Sequence, residues 1–598
     1  LNPVQPADGK VEGPSALAQI FETSGVIEAL VCVVTALAYL NTLTFGFVYD
    51  DKPAILDNVV IRSWRFLGHY FIPQISADIA PSASATFYRP MTDLWMRLNY
   101  ATFGPNPAGW HFSMLAAHVL ATYLVFVVVR KLMGNRATAG VAAILFGLHP
   151  VHVENVAWLS SVNDLLMTVF LLASFFAYLE FRDGKKSGLA ISLLWFGLAL
   201  LSKETTAAFP AVIFAFAAIF AGASTGEHAG KNEPVWQAGL ALKKGLICLP
   251  YFMVLAAYLA ARRLMFHGLA QPIASLSWST MLLTWPSILW FDLKHLLLPV
   301  SSSEFYSLGY VTAPGFTSFL LPVGLLAVAA AVAAYWISKL TDRRLGAFAL
   351  GWTILTILPT LYLRAIASGN FVHDRFLYLP SVGVVILLAL AVEQLSAPKK
   401  PGKSGVPLKY VVVAILCTAA FAGTVDHQAQ WANNLALYQN AIQYAPRNPV
   451  VQVNLANELA NLGRYEQALP LYLSAVERDP RFWLSNYNLG YAYYKTAKYS
   501  EAENYLQRAI QIDDKDPDQF IYLAVSQMQQ GKLQQAEASA EQALQRGPRS
   551  PGFHFVLAKI LEASGNRERA IAEYQAEASQ HPENAQARNE LQRLQSAP

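Results

Sequence analysis

Apolar segments of about 20 residues, the length a helix needs to cross a bilayer, recur through the first 425 residues and then stop. They lie near 26–46, 108–130, 163–181, 204–222, 317–338, 345–363, 376–395 and 408–425, and shorter ones at 137–149, 187–201 and 245–261 read as spans packed inside a bundle. In lipid each segment must satisfy its own backbone polar groups, so this region is expected to be a polytopic bundle of transmembrane helices. The segment 279–298 contains Pro286, Asp292, Lys294 and His295 and reads as a re-entrant or interfacial helix, which leaves about eleven spans.

The composition fits two regions in different solvents. Overall 54% of residues are hydrophobic and 14% charged, whereas soluble domains carry about a quarter charged residues; from Asp426 onward the chain turns polar. A net charge of +4, with no basic stripe interleaved with aromatics, argues against a nucleic-acid partner. Cys32, Cys248 and Cys417 all fall in apolar segments, so neither a disulfide framework nor a zinc site is expected. Residues 1–25 lack a signal-peptide layout and read as a cytoplasmic N-terminal segment, with the first span as an uncleaved anchor.

Lysine and arginine in the loops orient the bundle. Short basic loops carry Arg130, Lys131 and Arg136, then Arg182, Lys185 and Lys186, then Lys231, Lys243 and Lys244. Lys339, Arg343 and Arg344, then Lys399, Lys400, Lys403 and Lys409, continue the series on the side expected to be cytoplasmic. The opposite loops, near 47–107, 149–162, 262–316 and 364–375, are sparser in positive charge. The transmembrane domain is thus expected over 26–425 with large outer loops at 47–107 and 262–316, and an extracytoplasmic domain over 426–598.

That last domain repeats every 34 residues: Ala468, Ala502, Ala536 and Ala570 share one register, and Gly463, Ala497, Gly531 and Gly565 share another at the turn between helices. Pro446, Pro480, Pro548 and Pro582 keep the same period, with Asp514 where the pattern lacks its proline. Thirty-four residues is the tetratricopeptide period, so four repeats are expected over 448–581, with a half-repeat before them near 427–445. The fold class is all-α: a membrane bundle followed by a tetratricopeptide solenoid, whose surfaces suit peptides or proteins.

Under this topology the polar residues at membrane depth gather on the outer face. Asp50 and Asp51 end the first apolar segment and read as a general base, a metal ligand or a solvated helix end. Arg89 and Asp93 follow; then come His149, His152, Glu154 and Asp164, which with the acid pair could ligate a divalent metal or simply cap helix ends. Lys203 and Glu204 read first as an ion pair closing a two-helix hairpin. Arg262 and Arg263 run against the positive-inside trend and suit either a phosphate or lipid headgroups. His373, Asp374, Arg375 and Tyr378 stand at the entrance of a span, where Arg375 and Tyr378, one helical turn apart, could hold a lipid phosphate or a sugar or form an interface anchor.

The strings Phe47-Val-Tyr-Asp-Asp51, His149-Pro-Val-His-Val-Glu-Asn155 with Asn163-Asp164, Leu201-Ser-Lys-Glu-Thr205 and His373-Asp-Arg-Phe-Leu-Tyr-Leu-Pro-Ser381, in this order and followed by the repeats, resemble the GT-C membrane glycosyltransferases. The similarity is to their tetratricopeptide-containing O-mannosyltransferase-like group and covers nearly the whole chain. It implies a polyprenyl- or dolichyl-phosphate-linked sugar donor and a hydroxyl acceptor, typically Ser or Thr of an exported protein bound by the repeats. The group's acidic pair maps onto Asp50 and Asp51, one of which would be the base, its second acidic position onto the His152/Glu154 loop with Asp164 next, and its acid-Arg motif onto Asp374-Arg375. From the residues themselves, donor-phosphate contacts are expected from Arg262, Arg263, Arg375 and Tyr378, and a divalent metal, magnesium or manganese, at His152, Glu154 and Asp164. The group's Gly-Arg-Ala-Asp string is here Leu-Ser-Ser-Val-Asn-Asp, so its arginine is either lost or supplied elsewhere, for example by Arg262. The expected place is an inner bacterial membrane with periplasmic repeats, or a lumenal face in a eukaryote. Two other readings stand beside it: an O-antigen-ligase-type transferase using a lipid-diphosphate glycan, and a membrane scaffold without catalysis.

Overall fold

A computed structural model describes residues 25–72, 88–221, 245–266, 276–366, 370–395 and 407–596, and among them the chain is helical with no strand. Residues 1–24 of the N-terminal segment, parts of both large outer loops, and Lys231, Lys243, Lys244, Lys399, Lys400 and Lys403 lie outside the described residues. The chain divides into two compact units, Leu1–Leu437 and Tyr438–Pro598. The division falls within the helix Asn434–Tyr444, whereas the change of composition starts near Asp426.

The first unit is an integral membrane bundle. Among the described residues, seven helices are long and apolar enough to cross a bilayer, or eight if the bent pair Arg136–Gly147 and Pro150–Ala157 is one span. The other three apolar segments form shorter helices, Ser187–Leu200, Glu204–Ile219 and Ser381–Gln394. Sequence overstates the last of these because Pro380 precedes the α-helix and the residues before it coil as a 3-10 turn, Asp374–Leu377. The segment read as interfacial is a helix, Trp278–Leu297, with Pro286 inside it and Asp292 buried.

Helix ends follow local chemistry. Asn106 accepts from the Ala108 N–H ahead of Pro107 and a 27-residue helix, which ends at Gly134 with φ 68°. Asn135 and Asp342 cap Arg136–Gly147 and Arg343–Ile357 in the same way. Leu159–Arg182 runs through the centre, with 78% of its apolar window buried; Phe316–Lys339 and Leu408–Trp431 are peripheral, at 6% each. Val328, Val332 and Tyr335 on the first of these are each more than half exposed, an apolar face that suits lipid. Phe175, Phe216, Phe348 and Trp352 fill the interior with edge-to-face and stacked contacts of 5.0–6.0 Å. Gly383 allows helix Ser381–Gln394 to approach Arg343–Ile357 so closely that a Cβ would run into the Ala349 carbonyl.

The second unit contains four antiparallel helix pairs: Pro449–Asn461 with Tyr465–Arg478, Trp483–Lys495 with Tyr499–Ile512, Pro517–Gln529 with Leu533–Arg546, and Phe553–Ala563 with Arg567–Gln580. A last helix, Ala585–Ser596, covers the end of the stack. The registered alanines Ala468, Ala502, Ala536 and Ala570 are fully buried where paired helices meet. Each pair turns through a left-handed residue: Gly463, Gly531 and Gly565 at φ 74–81°, and Ala497 at φ 59°.

Candidate active site

The acid pair sits on a strained turn. Tyr49 has φ 52°, a left-handed conformation uncommon outside glycine. Its N–H donates to Asn434 Oδ1 at 2.8 Å, and its ring packs against Trp158 and Phe305 at 5.7 and 5.8 Å. These contacts hold a backbone shape that costs on the order of 1–3 kcal/mol and is typical of functional sites. The turn separates two neighbouring carboxylates. Asp51 is completely buried; it accepts from the Val48 N–H at 3.1 Å, the Ser160 N–H at 2.9 Å and the Ser160 hydroxyl at 2.7 Å. Burial pushes its pKa up to about 7 against the pull of these donors. Asp50 is exposed, and its carboxylate makes no hydrogen bond among the described residues, its backbone carbonyl alone accepting from the Ala54 N–H at 3.0 Å. Surrounding protein raises its pKa by desolvation, and Arg375 partly opposes the rise. Asp51 therefore fastens the turn, and Asp50 presents the usable carboxylate.

Arg375 is the hub beside them. Its Nη1 bonds Glu154 Oε1, and Glu304 Oε2 and Oε1 at 2.9 and 3.2 Å, while its backbone N–H donates to Glu154 Oε2 at 3.0 Å. Its guanidinium lies 5.0 Å over the Trp158 ring and 5.3 Å over Phe376. Burial alone would lower the Arg375 pKa, but Glu304 and Glu154 outweigh it and raise it. Glu154 reaches this point because the helix breaks before Pro150, which has no N–H to continue the ladder. The Leu148 carbonyl at the break is taken up by the Thr424 hydroxyl at 2.8 Å. Next to Arg375, Asp374 is buried and accepts from Ser302 Oγ at 2.8 Å and the Tyr306 hydroxyl at 3.0 Å.

The cations are paired differently from the sequence expectation. Lys203 does not close a hairpin with Glu204. Its Nζ donates to both oxygens of Asp164, at 2.6 and 2.5 Å, in a pair whose side chains are 6% and 4% exposed. Glu204 is held by Arg89 instead, through Nε at 3.1 Å and Nη2 at 2.7 Å. The extended backbone of Lys203, φ −157° and ψ 138°, sends the two side chains to different partners. Burial lowers the Lys203 pKa, Asp164 pulls it back, and Arg89 and Arg375 press it down again. Asp93 is held up to about 7 by burial, with Arg89 opposing. Arg262 is buried, with Nη1 at 3.3 Å from the Tyr258 hydroxyl, and the Tyr258 ring packs on Tyr88 at 6.2 Å. Arg263, one residue on, is exposed.

Three expected site residues turn away. The Tyr378 hydroxyl sits 2.6 Å from His118 Nδ1, whose other nitrogen, Nε2, lies 3.1 Å from the Gly147 carbonyl. A carbonyl only accepts, so His118 carries its hydrogen on Nε2 and Tyr378 must donate. With its proton committed and its ring fully buried, Tyr378 packs inside the bundle and does not hold donor. His152 packs against Phe146 and Tyr378, each at 4.4 Å, and bonds Ser381 Oγ at 2.8 Å. His149 bonds the Leu296 carbonyl at 3.1 Å. The expected metal set of His152, Glu154 and Asp164 is thus taken apart: His152 belongs to the aromatic interior and Asp164 to Lys203. Among the described residues, the group whose ligand atoms lie within 4.8 Å of one another is Glu154, Glu304 and His373. Glu304 lies within the large outer loop 262–316, and neither it nor Ser160, Trp158, Tyr306 or His118 carries a local sequence signal; all act through partners remote in the chain.

Residues 89–250 match the family described as dolichyl-phosphate-mannose-protein mannosyltransferase, and 453–517 and 523–591 match the tetratricopeptide repeat. Protein O-mannosyl-transferase TMTC4 of Mus musculus is 25% identical over 496 residues, covering 73% of this chain and 64% of that protein. Protein O-mannosyl-transferase Tmtc1 of Drosophila melanogaster is 38% identical over 169 residues, 28% of this chain and 20% of that one. The chain thus spans less than two thirds of the length of these relatives. Among solved structures, the tetratricopeptide protein YrrB matches 25% of this chain and 77% of its own, at 23% identity and a TM-score of 0.23.

Proposed function

We propose that this chain, similar to the tetratricopeptide-containing protein O-mannosyltransferases, transfers a sugar from a polyprenyl-phosphate donor to a Ser or Thr hydroxyl of an exported protein. The observation that carries the proposal is the division of labour in the acid pair: Asp51 is consumed by the fold, and Asp50 is left accessible beside Arg375. An accessible carboxylate with a raised pKa, next to an immobilised cation, is the arrangement a general base needs. Mannose is the sugar the likeness favours.

In the proposed reaction the acceptor oxygen attacks the anomeric carbon from the face opposite the lipid phosphate. Asp50 takes the hydroxyl proton as the new carbon–oxygen bond forms, and the bond from carbon to phosphate oxygen breaks with inversion. The electron pair leaves on the phosphate, which becomes the better stabilised the more fixed positive charge it faces. Arg262 supplies that charge, with Arg89 and Lys203 contributing beyond their pairs with Glu204 and Asp164; Arg375, shared by Glu154 and Glu304, positions the loop and tempers Asp50. Lipid-soluble donor reaches such a site from the bilayer, in keeping with a bundle whose peripheral helices present apolar faces. The basic residues Arg130, Lys131, Arg136, Arg182, Lys185, Lys339, Arg343 and Arg344 favour a cytoplasmic position for their own loops, and hence an extracytoplasmic one for Asp50.

The repeats would bind the acceptor polypeptide. Tyr487, Tyr491, Tyr494 and Tyr522, half-buried on the first helices of neighbouring pairs, form a connected aromatic group with centroids 4.7–6.4 Å apart. Half-buried tyrosines give large, rigid contact area with a polar tip, and holding acceptor on the same chain raises its effective concentration.

The test offers purified protein in lipid nanodiscs a panel of polyprenyl-monophosphate sugars and a polyprenyl-diphosphate glycan, and measures sugar release for wild type and Asp50→Asn. Turnover of a monophosphate donor, lost in the variant, is the expected result. Turnover of the diphosphate donor alone would favour a ligase-type transferase, and turnover of neither, with exported-protein extract present, a scaffold.

A further inference from the structure

Two buried carboxylates and one imidazole converge beside Arg375. Glu154 and Glu304 are 1% and 0% exposed and His373 is 2% exposed. Each offers one ligand atom, and these atoms lie within 4.8 Å of one another. They come from three parts of the chain, the helix break, the loop after Trp278–Leu297 and the loop before Ser381, so the grouping is tertiary and not a run of acidic sequence.

The histidine is the second observation. His373 Nε2 lies 3.0 Å from the Asn370 carbonyl. Because a carbonyl cannot donate, Nε2 must carry the hydrogen and Nδ1 is left as a bare lone pair. That Nδ1 is buried and makes no hydrogen bond, and its approach to Glu304 Oε1 is 3.7 Å. A buried acceptor aimed at carboxylate oxygens, which are also acceptors, is unfavourable unless something positive lies between them. A histidine whose other ring nitrogen is tied to a backbone carbonyl is also how metal-binding imidazoles are fixed in tautomer and direction. Arg375 is the cation bonded to both glutamates among the described residues.

We propose that Glu154, Glu304 and His373 Nδ1 bind a divalent first-row transition ion, of the manganese or zinc class. Two oxygen donors and one imidazole nitrogen suit those ions better than magnesium or calcium, which favour all-oxygen sites. The ion lies between the helix break and the His373 loop and ties together the two segments that position Arg375. This site differs from the set read from sequence in keeping only Glu154.

The test uses the full chain in nanodiscs, stripped with chelator and then titrated with manganese alone, without donor or acceptor. Metal binding is therefore read separately from transfer, and either can fail with the other intact. The expected result is one bound Mn2+ per chain, with nitrogen hyperfine coupling in the pulsed electron paramagnetic resonance spectrum. His373→Ala should remove the nitrogen coupling, and Glu304→Gln should weaken binding roughly tenfold or more. If Glu304→Gln fails to fold, His373→Ala and the spectrum of wild type decide alone. Absence of a stoichiometric ion in wild type, or Mn2+ that shows no nitrogen coupling or is indifferent to His373→Ala, would overturn the proposal.

Discussion

Replacing each member of the acid pair by asparagine should separate folding from chemistry. Asp51 accepts three hydrogen bonds, one from the buried Val48 N–H and two from the half-buried Ser160. In Asp51→Asn the remaining carbonyl oxygen can keep Ser160, but the amide nitrogen confronts the Val48 donor. Leaving one buried donor unmet costs about 1–3 kcal/mol. Asp51→Ala abandons all three, and at about 1 kcal/mol for each net hydrogen bond the loss is about 3 kcal/mol, a large part of a protein's margin. Asp50 makes no such bonds, so Asp50→Asn should change stability by less than about 0.5 kcal/mol. As the base, however, it should lower transfer by about 10²–10⁴-fold. Thermal unfolding in nanodiscs, followed by intrinsic fluorescence and paired with sugar transfer at a temperature where every variant is folded, reads both quantities. The expected pattern is a stable, nearly inactive Asp50→Asn and a less stable Asp51→Asn that keeps measurable activity. A fully active Asp50→Asn, or an Asp51→Asn that is inactive at undiminished stability, would refute the assignment.

Further outcomes follow from the same contacts. Asp50 must be ionised to accept a proton, and its pKa is raised from 3.8, so kcat/KM should fall on acidification with a midpoint above 3.8; a rate that rises toward acid pH would contradict it. Asp93 also has a raised pKa, about 7, so the folded state holds its proton where the unfolded chain has lost it; its contribution to stability is present below about pH 4 and is lost as pH rises to about 7. Asp93→Asn should remove that slope from apparent melting temperatures taken between pH 4.5 and 7.5. Lys203→Met leaves Asp164 buried without its cation, and should destabilise by about 3–5 kcal/mol, with Lys203→Met/Asp164→Leu recovering much of the loss; a single variant as stable as wild type would show the pair to be dispensable. Ala497→Gly relieves a left-handed backbone at φ 59° and should stabilise the repeats by about 1 kcal/mol, read as later unfolding of the full chain in urea, with no gain as the contrary result.

Where the sequence was readable, the signal was local. A 34-residue period needs only neighbouring helices, so the repeats and their turns show in the spacing of Ala468, Ala502, Ala536 and Ala570, and apolar length marks the membrane helices. The acid pair was visible as two charges at a membrane edge, but adjacency in sequence hid their unequal roles, because Asp51's partner Ser160 lies 109 residues away. Lys203 and Glu204 misled for the same reason: neighbours in sequence of opposite charge suggest a pair, while extended backbone directs them to Asp164 and Arg89. Tyr378 does stand three residues beyond Arg375, yet the 3-10 turn carries it inward to His118. The Arg375 hub joins residues separated by 221 and 71 positions, and no periodicity records contacts of that kind. Glu304 showed in the sequence only as one acid in the large outer loop 262–316.

Sugar reaching a protein hydroxyl is the central event of the proposed reaction. The direct measurement incubates the purified chain with polyprenyl-phosphate mannose and an exported-protein acceptor, then maps the product by glycopeptide mass spectrometry. Hexose on Ser or Thr side chains, present with wild type and absent with Asp50→Asn, is the predicted result. Donor consumed with no sugar on the acceptor, or equal modification by the variant, would contradict it.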